Sequence, residues 1–291
     1  MTTWNKSFSS IDQSSEPRYN PSRAPQPGAR ALLGRKTIND ERPFLSVVVP
    51  AYNEARRVPK NLRRILAYLQ EQAYSFEVII VDDGSTDQTV ASVREITESD
   101  PRVHLVENPH FGKGYTVRTG MLAATGEIAL FSDADLSAPI EELERLLPWF
   151  DLGYDVVIGS REGGGTRQRI GEPFYRHLMG RLFNLLVQLL AVRGVQDTQC
   201  GFKAMRAEVA RDVFPRLRLY NGSSGPIRGS MVTAFDVELL FLAQKRGYKI
   251  REVPVEWHYG TESKVNPVRD SWRNFKDVAT VRWNDLLGRY N

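Results

Sequence analysis

Two acids one residue apart, Asp133 and Asp135, follow the apolar run Ile128 to Phe131. Carboxylates at that spacing behind a buried strand can reach one hard cation. Mg²⁺ or Mn²⁺ takes one or two protein carboxylates and fills its shell with water and phosphate oxygens. An ion held there neutralises the charge that builds on a departing diphosphate. The plainer alternative is a pair of caps for a helix starting near Ile140, since Asp-x-Asp is common by chance. A second acidic pair, Asp82-Asp83, ends the run Phe76 to Val81. It can accept from a base N–H or from ribose hydroxyls; it can equally end a strand while Ser85 to Asp87 cap the next helix. Lys113, between Gly112 and Gly114, can meet a diphosphate, the glycines letting backbone come close. It lies outside any G-x-x-x-x-G-K-[ST] loop, and no G-x-G-x-x-G opens the first helix, which disfavours a dinucleotide oxidoreductase.

These groups need a scaffold, and the apolar pattern supplies one. Leu45 to Val49 is a β-branched run, and Val58, Leu62, Ile65, Leu66 and Leu69 follow at helical spacing. Phe76 to Val81, Val103 to Val106, Ile128 to Phe131 and Asp155 to Ile158 predict further strands. Lys113 to Ala124 predicts a helix, and Ile140, Leu143, Leu146, Leu147 and Phe150 predict another. Strands alternating with helices imply an α/β fold: a Rossmann-like, mostly parallel sheet with helices on both faces and right-handed crossovers. Ligands of such sheets bind beyond the carboxyl ends of the strands. Those ends carry Pro50 to Glu54, Asp82 to Ser85, Glu107-Asn108, Asp133 to Asp135 and Gly159-Ser160-Arg161. Acids, amides and one arginine therefore converge on one edge.

Composition narrows the classes. With 41% apolar and 25% charged residues the chain is ordinary for a globular protein. One cysteine excludes an intramolecular disulfide framework or a Cys-rich metal site, and suits a reducing compartment. The four histidines are scattered along the chain, so no His-based metal cluster is suggested. The formal charge of +4 is gathered at the ends: residues 1–44 carry seven Lys/Arg against four Asp/Glu, and residues 260–291 six against four. That placement argues against nucleic acid as a partner, which would call for a dense basic face. It suits an anionic membrane surface or an anionic ligand. The apolar stretch Phe183 to Val192 is half the length needed to cross a bilayer, and no secretory signal opens the chain. A cytoplasmic protein is expected. Residues 1–44, with five of the 16 prolines, are expected to be a disordered or loosely attached arm.

Several motifs in order carry a resemblance. Val47 to Glu54, Val78 to Asp87 and Asp133-Ala134-Asp135 closely resemble family 2 inverting glycosyltransferases of the GT-A fold. Gly159-Ser160-Arg161, Asp197 to Lys203 and Phe235 to Leu240 look like the polyprenyl-phosphate sugar synthase branch. Val253 to Trp257, Ser263-Lys264 and Arg269 to Trp272 look like dolichyl-phosphate β-glucosyltransferases. The resemblance spans roughly residues 45–289. It implies a metal-dependent transfer of a sugar from a nucleotide donor, UDP-glucose, to a polyprenyl or dolichyl phosphate. Pro50, Tyr52, Glu54, Asp82, Asp83, Lys113, Asp133 and Ala134 would hold the donor. Asp135, with Asp133, would bind Mg²⁺ or Mn²⁺. Arg161, Arg176, Gln199 and Lys203 would surround the donor sugar and the acceptor phosphate; Asp135, Arg161, Lys203 and Asp236 would be the catalytic set. Asp236 and Glu238 share a helix and can equally serve as caps or ion pairs.

The chain departs from the pattern at three places. Ser137 replaces the Gln frequent in mannose-type synthases, which favours glucose. Gly180 lacks a hydroxyl that relatives offer the acceptor phosphate, and the Gly/Ser-rich segment Arg218 to Ser230 is long, as a lid or a flexible insertion. Rival readings are a family 2 enzyme with a soluble or polysaccharide acceptor and a noncatalytic nucleotide-sugar-binding subunit. A sugar-1-phosphate nucleotidyltransferase would need a Gly-rich N-terminal loop that is absent here. The expected domains are the arm 1–44, a GT-A domain 45–260 and a C-terminal amphipathic segment 261–291. Phe174 to Val192 and the stripe Trp272, Phe275, Ala279, Trp283 and Leu286 are both amphipathic, with basic residues beside the tryptophans. Peripheral attachment to the inner face of the membrane is expected of them; packing on the sheet or a homodimer contact is the alternative.

Overall fold

A computed structural model describes residues 42–162, 187–188, 190–222, 225–227, 234–258 and 267–291. The arm up to residue 41, Arg176, Gly180 and most of Phe174 to Val192 lie outside the described residues.

Seven strands form one sheet: β1 (Leu45–Ala51), β2 (Phe76–Asp82), β3 (Val103–Glu107), β4 (Ile128–Ser132), β5 (Val156–Ser160), β6 (Phe202–Arg206) and β7 (Ile250–Pro254). Their order is β3-β2-β1-β4-β6-β5-β7. All neighbours are parallel except β6, which runs antiparallel to both β4 and β5. The helices are α1 (Val58–Gln70), α2 (Thr89–Ser99), α3 (Lys113–Ala123), α4 (Leu143–Leu146), α5 (Pro148–Asp151), α6 (Ala207–Val213), α7 (Phe235–Lys245) and α8 (Pro267–Leu286).

Alternation along each strand sorts the core into two layers. Val47, Val49, Val78 and Ile80 pack with Leu62, Ile65 and Leu69 of α1 and with Leu143, Leu146 and Phe150. Val48, Ile79 and Val81 face the other way, with Val117 and Met121 of α3, Leu239 and Leu240 of α7, and Val278 and Val281 of α8. Helices thus cover both faces, which is why β1, β2 and β4 read as largely apolar runs, with Ser46 and Glu77 as buried polar residues within them.

The helix expected over residues 140–150 is instead a 3₁₀ turn, Ile140–Glu142, followed by the single turns α4 and α5. Pro148, with no N–H and a ring that crowds the preceding turn, opens a new helical turn rather than extending the old one. Two strands were not anticipated. β6 carries Lys203 and Arg206 and so lacks an apolar run, and β7 at the sheet edge holds half-exposed Arg251 and Glu252. In the C-terminal segment, Val278 and Val281 of α8 pack in the second core layer.

The topology locates the site. β1 pairs with β2 on one side and β4 on the other, so chain order reverses between β1 and β4. The loops after both strands flank that point. Because β6 runs antiparallel, its amino end meets the carboxyl end of β4, Ser132 opposite Phe202. That brings Asp197 to Gly201 to the same edge.

Candidate active site

The loop after β1 is laced to the turn after β2. Asn53 N–H donates to Ser85 Oγ at 2.9 Å, Glu54 N–H to Thr89 Oγ1 at 2.8 Å, and Thr86 N–H to Asn53 Oδ1 at 2.8 Å. Glu54 also faces Arg57 at 3.5 Å. Pro50 lies within β1 opposite Val81, and the Tyr52 ring stacks on the His110 ring. Ala134 is buried, and its carbonyl accepts from Asn61 Nδ2 at 2.7 Å, tying α1 to the loop after β4.

The two acids after β2 behave differently. Both oxygens of Asp83 are committed: Phe111 and Gly112 N–H donate to Oδ1 at 2.9 and 3.0 Å, and His110 Nδ1 lies 2.8 Å from Oδ2. Asp83 therefore builds the turn that delivers Lys113. Asp82 holds Ser85 N–H with Oδ2 at 2.8 Å, while its Oδ1 is buried with no hydrogen-bond partner. An orphaned buried acceptor costs about 1–3 kcal/mol, which a ligand donor would recover.

Lys113 opens α3, and its ammonium lies 2.5 Å from Asp133 Oδ1. Burial works to lower its pKa, but the carboxylates of Asp133, Asp236 and Asp135 outweigh it and hold the lysine above its ordinary range. Asp135 is exposed, with Oδ1 accepting the Ser137 N–H at 2.9 Å. Asp133 is pressed against Gly201, where a Cβ would lie 2.1 Å from Asp133 Oδ2. Only glycine permits that approach.

Lys203 is fully buried, and its Nζ donates to Asp236 Oδ1 and the Cys200 carbonyl, both at 2.5 Å. Its cation sits 5.2 Å above the Phe131 ring. Arg161 engages Asp197 in a fork, Nε to Oδ2 at 2.7 Å and Nη2 to Oδ1 at 2.8 Å, and lies over the Trp257 ring. Burial raises the Asp197 pKa, yet Arg161 overcomes it and pulls the carboxyl down to about 2. Gln199 is half-buried on the same loop, its N–H directed at Asp197. Of the residues expected here, only Arg176 lies outside the described residues; the rest gather at the carboxyl edge of β1, β2, β4 and β5.

Sequence reasoning left out His110, which seals the turn before Lys113, and gave Asp197 and Gly201 no role of their own. The segment after residue 217 is anchored where described. Glu238 accepts Arg218 and Leu219 N–H at 2.8 and 2.9 Å, Tyr220 Oη donates to Asp277 Oδ2 at 2.8 Å, and Ile227 N–H donates to the His110 carbonyl at 2.8 Å. Glu238 is thus a buried anchor, and it also receives the Tyr290 hydroxyl. Burial pushes its carboxyl up to about 7.

The family model for glycosyl transferase family 2 matches residues 46–214, the stretch that carries every strand end described above through β6. The chain belongs to this family. Family 2 glycosyltransferases are enzymes, and among the curated relatives is a dolichyl-phosphate beta-glucosyltransferase of Dictyostelium discoideum, 36% identical over 84% of this chain and 76% of its own length. Others with that name are from Drosophila melanogaster, 38% identical over 84% of this chain and 76% of the relative, and Saccharomyces cerevisiae, 34% identical over 87% and 78%. The fold agrees with solved structures. Mannosyl-3-phosphoglycerate synthase from Rubrobacter xylanophilus superposes with a TM-score of 0.58 at 20% identity, covering 90% of this chain and 78% of that one. Glucosyl-3-phosphoglycerate synthase from Mycobacterium tuberculosis, solved with Mn²⁺, UDP-glucose and phosphoglyceric acid, gives 0.53 at 20% identity, covering 94% and 85%. The family 2 chain described here therefore has the GT-A architecture, with β6 the one reversed strand among the described residues.

Proposed function

We propose that this enzyme transfers glucose from UDP-glucose, with inversion, to a polyprenyl or dolichyl phosphate. One observation carries the donor half: Asp82 Oδ1, buried and without a partner, lies at the carboxyl end of β2, beside the end of β1. A carboxylate oxygen there suits the imide N–H of uracil, which presents a donor to it. Pro50, Tyr52 and Glu54 lie at the end of β1 and in the loop after it, which is laced to the turn that follows Asp82, and Lys113 would meet the diphosphate. The names of the curated relatives support glucose and the lipid phosphate.

The acceptor phosphate is already ionised near neutral pH, so no strong general base is required. The chain's work is alignment of a phosphate oxygen behind C1 of the sugar, together with charge stabilisation of the leaving UDP. Lys113 is kept protonated for the second task by its three acidic neighbours. Arg161, braced by Asp197, offers a fixed cation to the acceptor phosphate. Gln199 stands on the same loop, and Arg176 is assigned to that phosphate on sequence grounds. Lys203 acts from below through Asp236, whose position it holds.

The residues present fit a divalent cation. Asp135 is an exposed carboxylate with one oxygen tied by Ser137, and Asp133 lies two residues before it, a hard-oxygen pair suited to Mg²⁺ or Mn²⁺. Such an ion, when bound, supplies positive charge to the diphosphate. Among the described residues no group of three His, Cys, Asp or Glu gathers, so water and the donor would complete the shell.

A membrane surface is the partner that the acceptor demands. Among the described residues no helix is long and apolar enough to cross a bilayer. The outer face of α8 instead exposes Trp272, Phe275, Trp283 and Leu286, with Lys276 over the Trp272 ring. This face would lie on the cytoplasmic leaflet, the enzyme working peripherally from the inner side. By contrast Val187 and Val192, at the end of the other amphipathic stretch, are buried in the protein core. Titration of the purified enzyme with UDP, GDP and their sugars tests the donor half. Tight binding of uridine nucleotides, weakened by Asp82→Ala, is expected; preference for guanosine nucleotides overturns it.

A further inference from the structure

His110 is held from three sides. Its Nδ1 lies 2.8 Å from Asp83 Oδ2 and 3.0 Å from the Asp83 carbonyl, two acceptors that require the proton on Nδ1. Its ring lies flat on Tyr52, centroids 3.9 Å apart and planes within 5°. Its carbonyl receives Ile227 N–H at 2.8 Å from the segment after residue 217. Gly84 leaves the room for this: at φ +70° its Cβ would come 2.9 Å from His110 N, so no larger residue fits the turn beneath. The side chain is 14% exposed, and the same turn passes directly into Gly112 and Lys113.

Resting on the donor reading above, we infer that His110 is a positioning residue for donor binding: it fixes the plane of the Tyr52 ring and joins that shelf to the Asp83-built turn and the 225–227 segment. Two bonds to the imidazole edge set its orientation, and the parallel contact passes that orientation to Tyr52. Among the described residues the Tyr52 side chain makes no hydrogen bond, so the stack on His110 is what orients its ring. Without it, Tyr52 can rotate about its two side-chain torsions, and the donor must bear the cost of ordering it. The acceptor side, built on Arg161 and Asp197, is anchored to β5 and the loop before β6, and its described hydrogen bonds run to that loop rather than to the turn of His110.

Three variants separate the contributions. His110→Ala removes both ring and N–H. His110→Phe keeps the ring without the N–H, and His110→Asn keeps a donor near the Nδ1 position without the ring. UDP-glucose KM, polyprenyl-phosphate KM, kcat and the Kd for UDP are measured for each, with thermal unfolding alongside. His110→Ala is expected to raise the donor KM and UDP Kd roughly tenfold, the weight of one aromatic contact plus the bond that orients it. Acceptor KM and kcat should stay within about twofold of wild type, since no transition-state contact is removed. His110→Phe and His110→Asn should each recover part of the loss. Equal changes in donor and acceptor KM, or donor binding unchanged in a folded His110→Ala protein, overturn the inference while wild-type UDP binding stands. Should His110→Ala fail to fold, the two conservative variants decide: wild-type UDP affinity in both overturns it. A wild-type enzyme that binds no uridine nucleotide overturns the donor reading and this inference together.

Discussion

Gly201→Ala adds one methyl group at the closest contact in the site. The Cβ would lie 2.1 Å from Asp133 Oδ2, 2.3 Å from Cγ and 2.6 Å from Oδ1. Ordinary carbon contacts begin near ~3.5 Å, so the carboxylate must retreat by about 1 Å or more. Its backbone is not free to follow, because Asp133 N–H donates to the Gly201 carbonyl at 3.1 Å. The side chain therefore rotates, at a cost of about 1 kcal/mol for an off-rotamer torsion with some overpacking added. Stability should fall by about 1–2 kcal/mol, a drop of roughly 2–4 °C in Tm for a chain of this size. Function should suffer far more. The 2.5 Å contact with Lys113 is lost and the Asp133 side of the cation site is displaced. A displacement on the order of 1 Å in a catalytic group costs about 100-fold in rate. Steady-state kcat/KM for UDP-glucose at saturating lipid phosphate, measured beside thermal unfolding, checks both numbers. Wild-type kcat/KM in the variant would refute the importance of the Asp133 position. An unfolded variant would refute the argument that the side chain, not the backbone, gives way.

Three further outcomes are expected. Asp135→Ala should reduce turnover at least about 100-fold with Tm nearly unchanged, since an exposed charge-stabilising ligand is lost rather than core packing; EDTA should do the same to wild type, and full activity in either case contradicts the cation role. Glu238, raised to about 7 by burial, holds its proton more tightly in the folded state than in the unfolded chain. Stability should therefore fall as pH rises from the ordinary carboxylate range through about 7, by up to about 3 kcal/mol, and Glu238→Gln should flatten that slope in a Tm-against-pH series. A wild-type Tm that is flat between about pH 5 and 7.5 contradicts the assignment. Liposome flotation should show wild type rising with anionic vesicles at low salt and Trp272→Ala/Trp283→Ala staying behind; no co-flotation of wild type removes the membrane assignment to α8.

Much of the sheet was legible because burial on two faces leaves an apolar run in the sequence. Leu45 to Val49 and Phe76 to Val81 show this, and their carboxyl ends point to the candidate site. β6 escaped because Lys203 interrupts its apolar residues. The strand tolerates a fully buried ammonium because, besides the Cys200 carbonyl, Asp236 arrives from α7, a partner 33 residues away that no local pattern reveals. The same blindness to distant partners applied to the Asp82-Asp83 pair. Sequence placed both acids at a strand end and gave them one task, whereas the turn at Phe111 and Gly112 takes up Asp83 and leaves an oxygen of Asp82 open. Glu238 was legible as an acid on a helix, but not as the buried anchor of residues 218 and 219. The apolar stripe of α8 was visible at helical spacing. Which face docks on the core was not, since Val278 and Val281 turn inward only once α7 is there to meet them.

The most direct test of the account is a product assay. Purified enzyme is incubated with UDP-glucose, a polyprenyl phosphate in detergent and a divalent cation, and the lipid is recovered for mass analysis and for anomeric assignment by NMR. The account predicts a polyprenyl phosphate bearing one β-linked hexose, formed with release of UDP and absent when donor or lipid is left out. Consumption of UDP-glucose with the sugar appearing only on water or a soluble acceptor, the lipid phosphate unchanged, would contradict it.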